Sequence, residues 1–220
     1  MVRNFISYPK SGRSWLRYAL TAVDKADDIA FHHDGFEFNN RDMAPHDFSL
    51  DARLERYRQA GPIVYLERDP RDVMVSLYHQ VTGRYGHVFD FDGSISDFIR
   101  HPWFGAEPLR RFRQIWGTLC ARDIALKVTY EDAHRDFAGS LSRLTSHLAI
   151  PLTPEQLARA EEAARIDNMR RVEQSETFPK NWLRPKNGAV KVRRGIVGGY
   201  ADSLPEHDIA YLNDVFDLRS

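Results

Sequence analysis

Four short apolar runs, at 4–8, 29–33, 62–67 and 124–129, are each followed by a stretch in which apolar residues return every three or four positions. Runs of that length, rich in Phe, Ile, Val and Tyr, predict buried strands, and the intervening spacing predicts helices. After Ser14, Trp15, Leu16, Ala19, Leu20 and Val23 form one helical stripe. Phe137, Leu141, Leu144 and Leu148 form another, which Pro151 ends. Strands alternating with helices predict an α/β fold of three layers, α/β/α, around a central parallel sheet. Two stretches break the rhythm. Residues 84–108 turn to Gly, His, Phe, Asp and Pro, which predicts a long aromatic loop or short helices over the sheet edge. Residues 167–199, rich in Arg, Lys, Asn and Gly, predict irregular chain before a last helix near Pro205.

Composition narrows this picture. A chain of 220 residues is long enough for one sizeable core, so residues 1–220 are expected to form a single domain. Its 31 basic and 31 acidic side chains cancel, so nothing calls for a nucleic-acid or membrane partner, and any anion site must be local. The single cysteine, Cys120, excludes an internal disulfide, fits a reducing compartment and suggests packing. The first strand begins almost at once and no run of about 18 apolar residues follows, so a cytoplasmic protein without a membrane anchor is expected.

Candidate chemistry begins where the first strand ends. Tyr8-Pro9-Lys10-Ser11-Gly12-Arg13-Ser14-Trp15 runs from a strand through a tight turn into a helix, whose first amides and dipole favour an anion beside Lys10. The G-x-x-x-x-G-K-[ST] loop of nucleotide triphosphatases is absent. In a second block, running from Val64 into His79, Arg68 ends a strand, Asp69 suits an N-cap, Pro70 the first helical position, and Asp72 a capping box. Local structure leaves Arg68 and Ser76 unexplained; a guanidinium and a hydroxyl converging there make a phosphate site. Near the C-terminus, Arg193, Arg194 and Gly195 combine two cations with a residue that lets amides approach an anion.

These blocks, in this order, resemble the sulfotransferases that use 3′-phosphoadenosine 5′-phosphosulfate (PAPS). The first resembles their Y-P-K-S-G-T-T-W loop, with Arg13 in place of a Thr; the second resembles R-N-P-[KR]-D-x-x-V-S-x-Y-x-H; the third resembles R-K-G-x-x-G-D-W. The resemblance implies that Lys10, Ser11, Gly12, Arg13 and Ser14 hold the 5′-phosphosulfate, with Trp15 on the adenine. It implies that Arg68 and Ser76 bind the 3′-phosphate and that Arg193, Arg194 and Gly195 close over it. Lys127-Val128-Thr129-Tyr130-Glu131-Asp132 resembles a strand ending in Y-E-D, which makes Tyr130 an adenine contact. Arg165-Ile166-Asp167-Asn168-Met169 corresponds to S-F-x-x-M, with Ile166 where an adenine-stacking Phe would stand.

The implied reaction moves a sulfuryl group from PAPS to a hydroxyl or amine and releases adenosine 3′,5′-bisphosphate (PAP). Such in-line transfer needs a cation on the leaving oxygen and a base for the acceptor's proton. Lys10 is the cation. The family's base is the His of a K-T-H strand end; Phe31-His32-His33 aligns with it, making His33 the base and leaving Phe31 where the Lys would be. His32, Asp34 and Glu37 remain rivals, since only one of two successive strand residues faces a given side. His79 and His101 read as scaffold residues, and no histidine shows metal-ligand spacing, so no metal is expected. Tyr85, His87, Phe89, Phe91 and Trp103 suggest an aromatic or glycosidic acceptor. A homodimer is compatible with the resemblance, although the K-x-x-x-T-V-x-x-x-E segment of some relatives is missing. A P-loop kinase and a non-catalytic nucleotide-binding module are the alternatives: the first needs Mg²⁺ and a triphosphate, and the second tolerates loss of His33.

Overall fold

A computed structural model describes residues 2–36, 48–175, 182–192 and 194–218; Glu37 and Arg193 lie outside them. Strands β1 (Arg3–Ser7), β2 (Ile29–His32), β3 (Ile63–Glu67) and β4 (Leu126–Thr129) form a wholly parallel sheet in the order β2-β1-β3-β4. β2, β3 and β4 lie within the apolar runs of the sequence, and β1 starts one residue before its run. Side chains alternate along them. Phe5, Val64 and Leu66 enter one core with helices α1 (Arg13–Thr21), α7 (Phe137–His147) and α8 (Pro154–Ala164). Ile6, Tyr8, Ile63 and Tyr65 enter the other, with α2 (Leu50–Tyr57), α3 (Pro70–His79), α4 (Ile95–Arg100), α5 (Ala106–Ala121) and α10 (Glu206–Val215). Burying each such side chain stabilises the fold by about 1.5–3 kcal/mol. The result is the expected three-layer α/β/α arrangement.

The sheet order creates a crevice. β1 leads into α1 on one face and β3 leads into α3 on the other, so the chain diverges between two neighbouring strands. Ligands of open parallel sheets bind at such a point, beyond the carboxyl ends of the strands. Lys10 follows β1 and Arg68 follows β3.

One stretch differs from expectation, and another takes the short-helix form that was one of its two expected alternatives. Helix α6 (Tyr130–Arg135) precedes α7, and after α8 the stretch expected to be irregular opens with α9 (Ile166–Ser175), which buries Met169 and Glu173. Its apolar stripe is only a residue wide, and a buried glutamate reads as polar in sequence. Residues 84–108 resolve into a π-helical turn (Gln80–Arg84), α4, and the start of α5. Of the aromatic residues singled out there, Phe89 is buried and Phe91 packs edge-on to Phe98, while Trp103 is 49% exposed. Cys120 is half-buried, and burial pushes its thiol up to about 11. Among the described residues no helix is long and apolar enough to cross a membrane.

Candidate functional site

A cavity of about 770 Å³ opens at the crevice between β1 and β3. Its walls carry Lys10, Gly12, Arg13, Ser14 and Trp15 from the first loop, His33 from the end of β2, and Arg68 and Ser76 from β3 and α3. Tyr130, Arg194 and Gly195 line it as well. Ser11 is the exception, being buried behind the loop at 2% exposure, so only its backbone is available to the turn. Arg193 lies outside the described residues.

The first loop is built for close backbone approach. Gly12 is the N-cap of α1 at φ +99 and offers no side-chain cap, so the leading amides of α1 remain for another acceptor. A Cβ on Gly12 would also lie 2.5 Å from the Tyr130 ring. Lys10 itself takes a left-handed backbone, φ 71, a strain of about 1–3 kcal/mol that recurs at ligand clamps.

Arg68 joins three parts of the site. Its guanidinium donates to the Lys10 carbonyl at 3.3 Å and to the Ile196 carbonyl at 3.1 Å. It also pairs with Asp72 at 3.4 Å and stacks 4.1 Å from the Tyr130 ring centroid. Its Nε is buried and has no hydrogen-bond partner among the described residues, a donor left for an anion. Glu67, just before it, is held by Lys127 at 2.5 Å and Arg113 at 3.5 Å.

Asp72 does not close the expected capping box. Its carboxylate accepts from the backbone amides of Gly198, at 2.9 Å, and Tyr200, at 3.0 Å. The amide of the N-cap Asp69 is instead taken by Glu131 of α6 at 2.9 Å. Asp72 thus ties the C-terminal loop to the cavity, a role that local spacing cannot reveal because both amides lie more than a hundred residues away. The loop needs its glycine: Gly195 has φ +63, and a Cβ there would meet Ile166 at 2.5 Å. Arg194 pairs with Asp202 at 2.6 Å. Trp15 donates its Nε1 proton to the Ala164 carbonyl at 2.8 Å and lies against Tyr130 and His134, giving an aromatic wall.

The three base candidates within the described residues separate by orientation. His33 faces the cavity, with Nδ1 2.7 Å from the Ser7 carbonyl. That acceptor requires the proton on Nδ1 and leaves Nε2 as the lone-pair nitrogen. Burial, with Arg13 and Lys191 adding to it, holds its pKa well below the ordinary imidazole value. His32 instead contacts Asn4 Oδ1 and the Asp34 amide, each at 3.3 Å. Asp34 is 1% exposed and satisfied by Arg53 at 3.1 Å and the Tyr57 hydroxyl at 2.7 Å, a structural role. Of the aromatic loop residues singled out, Tyr85 borders the cavity, and His87, Phe89, Phe91 and Trp103 do not. The cavity also holds groups that motif reading passed over: Arg84, His134, Lys186 and Lys191. Among the described residues, no three His, Cys, Asp or Glu side chains are grouped to hold a metal.

The sulfotransferase domain profile matches residues 57–219. The chain belongs to the sulfotransferase family. The matched span holds Arg68, Ser76, Tyr130 and Gly195; the Lys10 loop precedes it. Human sulfotransferase 2B1 is 25% identical over 222 residues, covering 89% of this chain and 59% of its own length. The flavonol 3-sulfotransferase of Flaveria bidentis is 26% identical over 192 residues, covering 74% and 60%. The chain therefore spans 59% to 64% of the length of these and two rodent relatives. The fold matches a mouse sulfotransferase crystallised with PAP at a TM-score of 0.68 and 16% identity, over 98% of this chain and 82% of the other. Retinol dehydratase, crystallised with androsterone and PAP, matches at a TM-score of 0.68 and 17% identity, over 98% and 79%.

Proposed function

We propose that this chain is a single sulfotransferase domain that moves the sulfuryl group of PAPS to a hydroxyl or amine of a small-molecule or glycan acceptor. The observation that carries the reading is that Lys10, His33 and the Arg68–Ser76 pair, from three separate stretches of sequence, border one cavity at the sheet's divergence point. A kinase-like reading leaves Arg68 and Ser76 without a purpose.

The residues fit the donor. The uncapped start of α1 and Lys10 suit the 5′-phosphosulfate. Arg68, with its unpartnered Nε, and Ser76 suit the 3′-phosphate, and Trp15 with Tyr130 suits the adenine. PAPS would supply an activated sulfuryl group, and the chain supplies position, charge and a base. His33 takes at Nε2 the proton the acceptor loses as its oxygen bonds to sulfur. Lys10 and the α1 amides hold the charge that develops on the phosphate as the bridging S–O bond breaks. An anion beside Arg13 and Lys191 would offset the part of the His33 lowering that those two charges cause, while burial, the larger cause, remains.

Calorimetry with PAP and ATP tests the reading. PAP is expected to bind without Mg²⁺ and much more tightly than ATP. Equal affinities, or an Mg²⁺ requirement, would return the protein to the kinase class.

A further inference from the structure

Lys191 is a cavity residue that neither the motifs nor the local fold accounts for. Its ammonium donates to the Trp182 carbonyl at 2.7 Å and lies 5.3 Å from the Trp182 ring centroid. An ammonium carries three donors, and this carbonyl is its one hydrogen-bond acceptor among the described residues. No salt bridge joins it to a described carboxylate; the charges that act on it are those of Lys10, Arg84, Arg13 and Arg17, all of its own sign. Burial and these neighbours hold its pKa well below that of an ordinary lysine.

The chain goes to some length to keep it there. Glu173, 2% exposed on α9, accepts the backbone amides of Lys191 at 2.5 Å and Val192 at 2.9 Å. Arg84, 3% exposed, lies 3.8 Å from Glu173 and donates to the carbonyls of Ala189 and Arg184, each at 3.1 Å. A buried carboxylate and a buried guanidinium therefore grip the same strand of loop from both sides of its turn. A cation held rigidly among cations destabilises the empty protein. The arrangement makes sense when an anion sits among them.

Lys191 lines the same cavity as Lys10 and His33, the two groups that the donor reading sets at the reacting end, and its charge is felt by both. We propose that Lys191 is a further substrate-contacting residue, whose ammonium joins Lys10 on the sulfuryl end of the donor, with Glu173 and Arg84 as its positioning residues. This rests on the donor reading above, and it places a second ammonium at the reacting end although Phe31 stands at the sequence position where the resemblance led one to look.

The test compares PAPS with PAP, which lacks the sulfuryl group, on wild type, Lys191→Met and Lys191→Arg, with no acceptor required. The methionine variant is expected to bind PAPS about tenfold or more weakly, the scale of a lost charged hydrogen bond. Its affinity for PAP should fall less, and arginine should recover most of the loss. Without ligand, the methionine variant should melt at or above the wild-type temperature, because a repelled cation has gone. Unchanged PAPS affinity, or equal losses for PAPS and PAP together with a lower melting temperature, overturns the assignment and makes Lys191 a structural residue. Wild type that binds neither nucleotide overturns the donor reading, and this inference with it.

Discussion

His33 and Lys10 do different work, and single substitutions separate them. Lysine and imidazole sit in one cavity, and the Ser7 carbonyl 2.7 Å from Nδ1 makes Nε2 the basic nitrogen of the imidazole. His33→Ala is expected to lower turnover by roughly 10²–10⁴-fold while leaving PAP affinity nearly unchanged. Lys10→Ala should weaken both, since its charge serves ground state and transition state alike. Steady-state kinetics paired with calorimetry distinguish the two; a His33→Ala enzyme with wild-type turnover sinks the base assignment. His33 was legible as a candidate from its place at a strand end. That His32 and Asp34 are engaged elsewhere depends on Asn4, Arg53 and Tyr57, whose approach no local pattern encodes.

At the scale of elements, the start of α1 and the C-terminal loop shape the site. Gly12→Ala places a side chain at φ +99 and 2.5 Å from the Tyr130 ring, so a loss of stability above about 1 kcal/mol is expected in urea denaturation. A loss near zero would mean that the loop relaxes and the close approach is not required. Asp72→Asn leaves one carbonyl oxygen where two carboxylate oxygens now serve Gly198 and Tyr200. Faster hydrogen exchange at those two amides and weaker PAP binding are expected, read by mass spectrometry and calorimetry. The strand-helix alternation was readable because parallel strands buried on both faces are continuous apolar runs. Helix α9 was not, because its inward face includes Glu173, whose partners are backbone amides of a distant loop.

For the whole molecule, ligand and pH both act through the charges around the cavity. At about 100 times its dissociation constant, PAP should raise stability by about 2.7 kcal/mol and the melting temperature by roughly 5–10 °C. His32, His33, His101 and His134 all have their pKa lowered, chiefly by burial. Their neutral forms are favoured in the fold, so the unfolded chain binds more protons below its own histidine pKa. Stability should therefore be full above about pH 6.5 and fall as the pH drops from there through the folded values. Melting curves between pH 8 and pH 5 check the sign, and a flat profile would contradict it. PAP should flatten the slope, since an anion beside His33 raises its pKa in the folded state.

The sequence alone determined the layered parallel sheet, and it singled out the turn at Lys10 and the pair Arg68 and Ser76 as candidate anion sites. Each of these rests on interactions within a few residues, where periodicity, capping and turn rules operate. Only the tertiary structure decided which histidine faces the cavity, that Asp72 holds the C-terminal loop instead of its own helix, and that Lys191 lines the same cavity as Lys10. Those outcomes depend on contacts between stretches far apart in the chain, brought together by the order in which the strands pair.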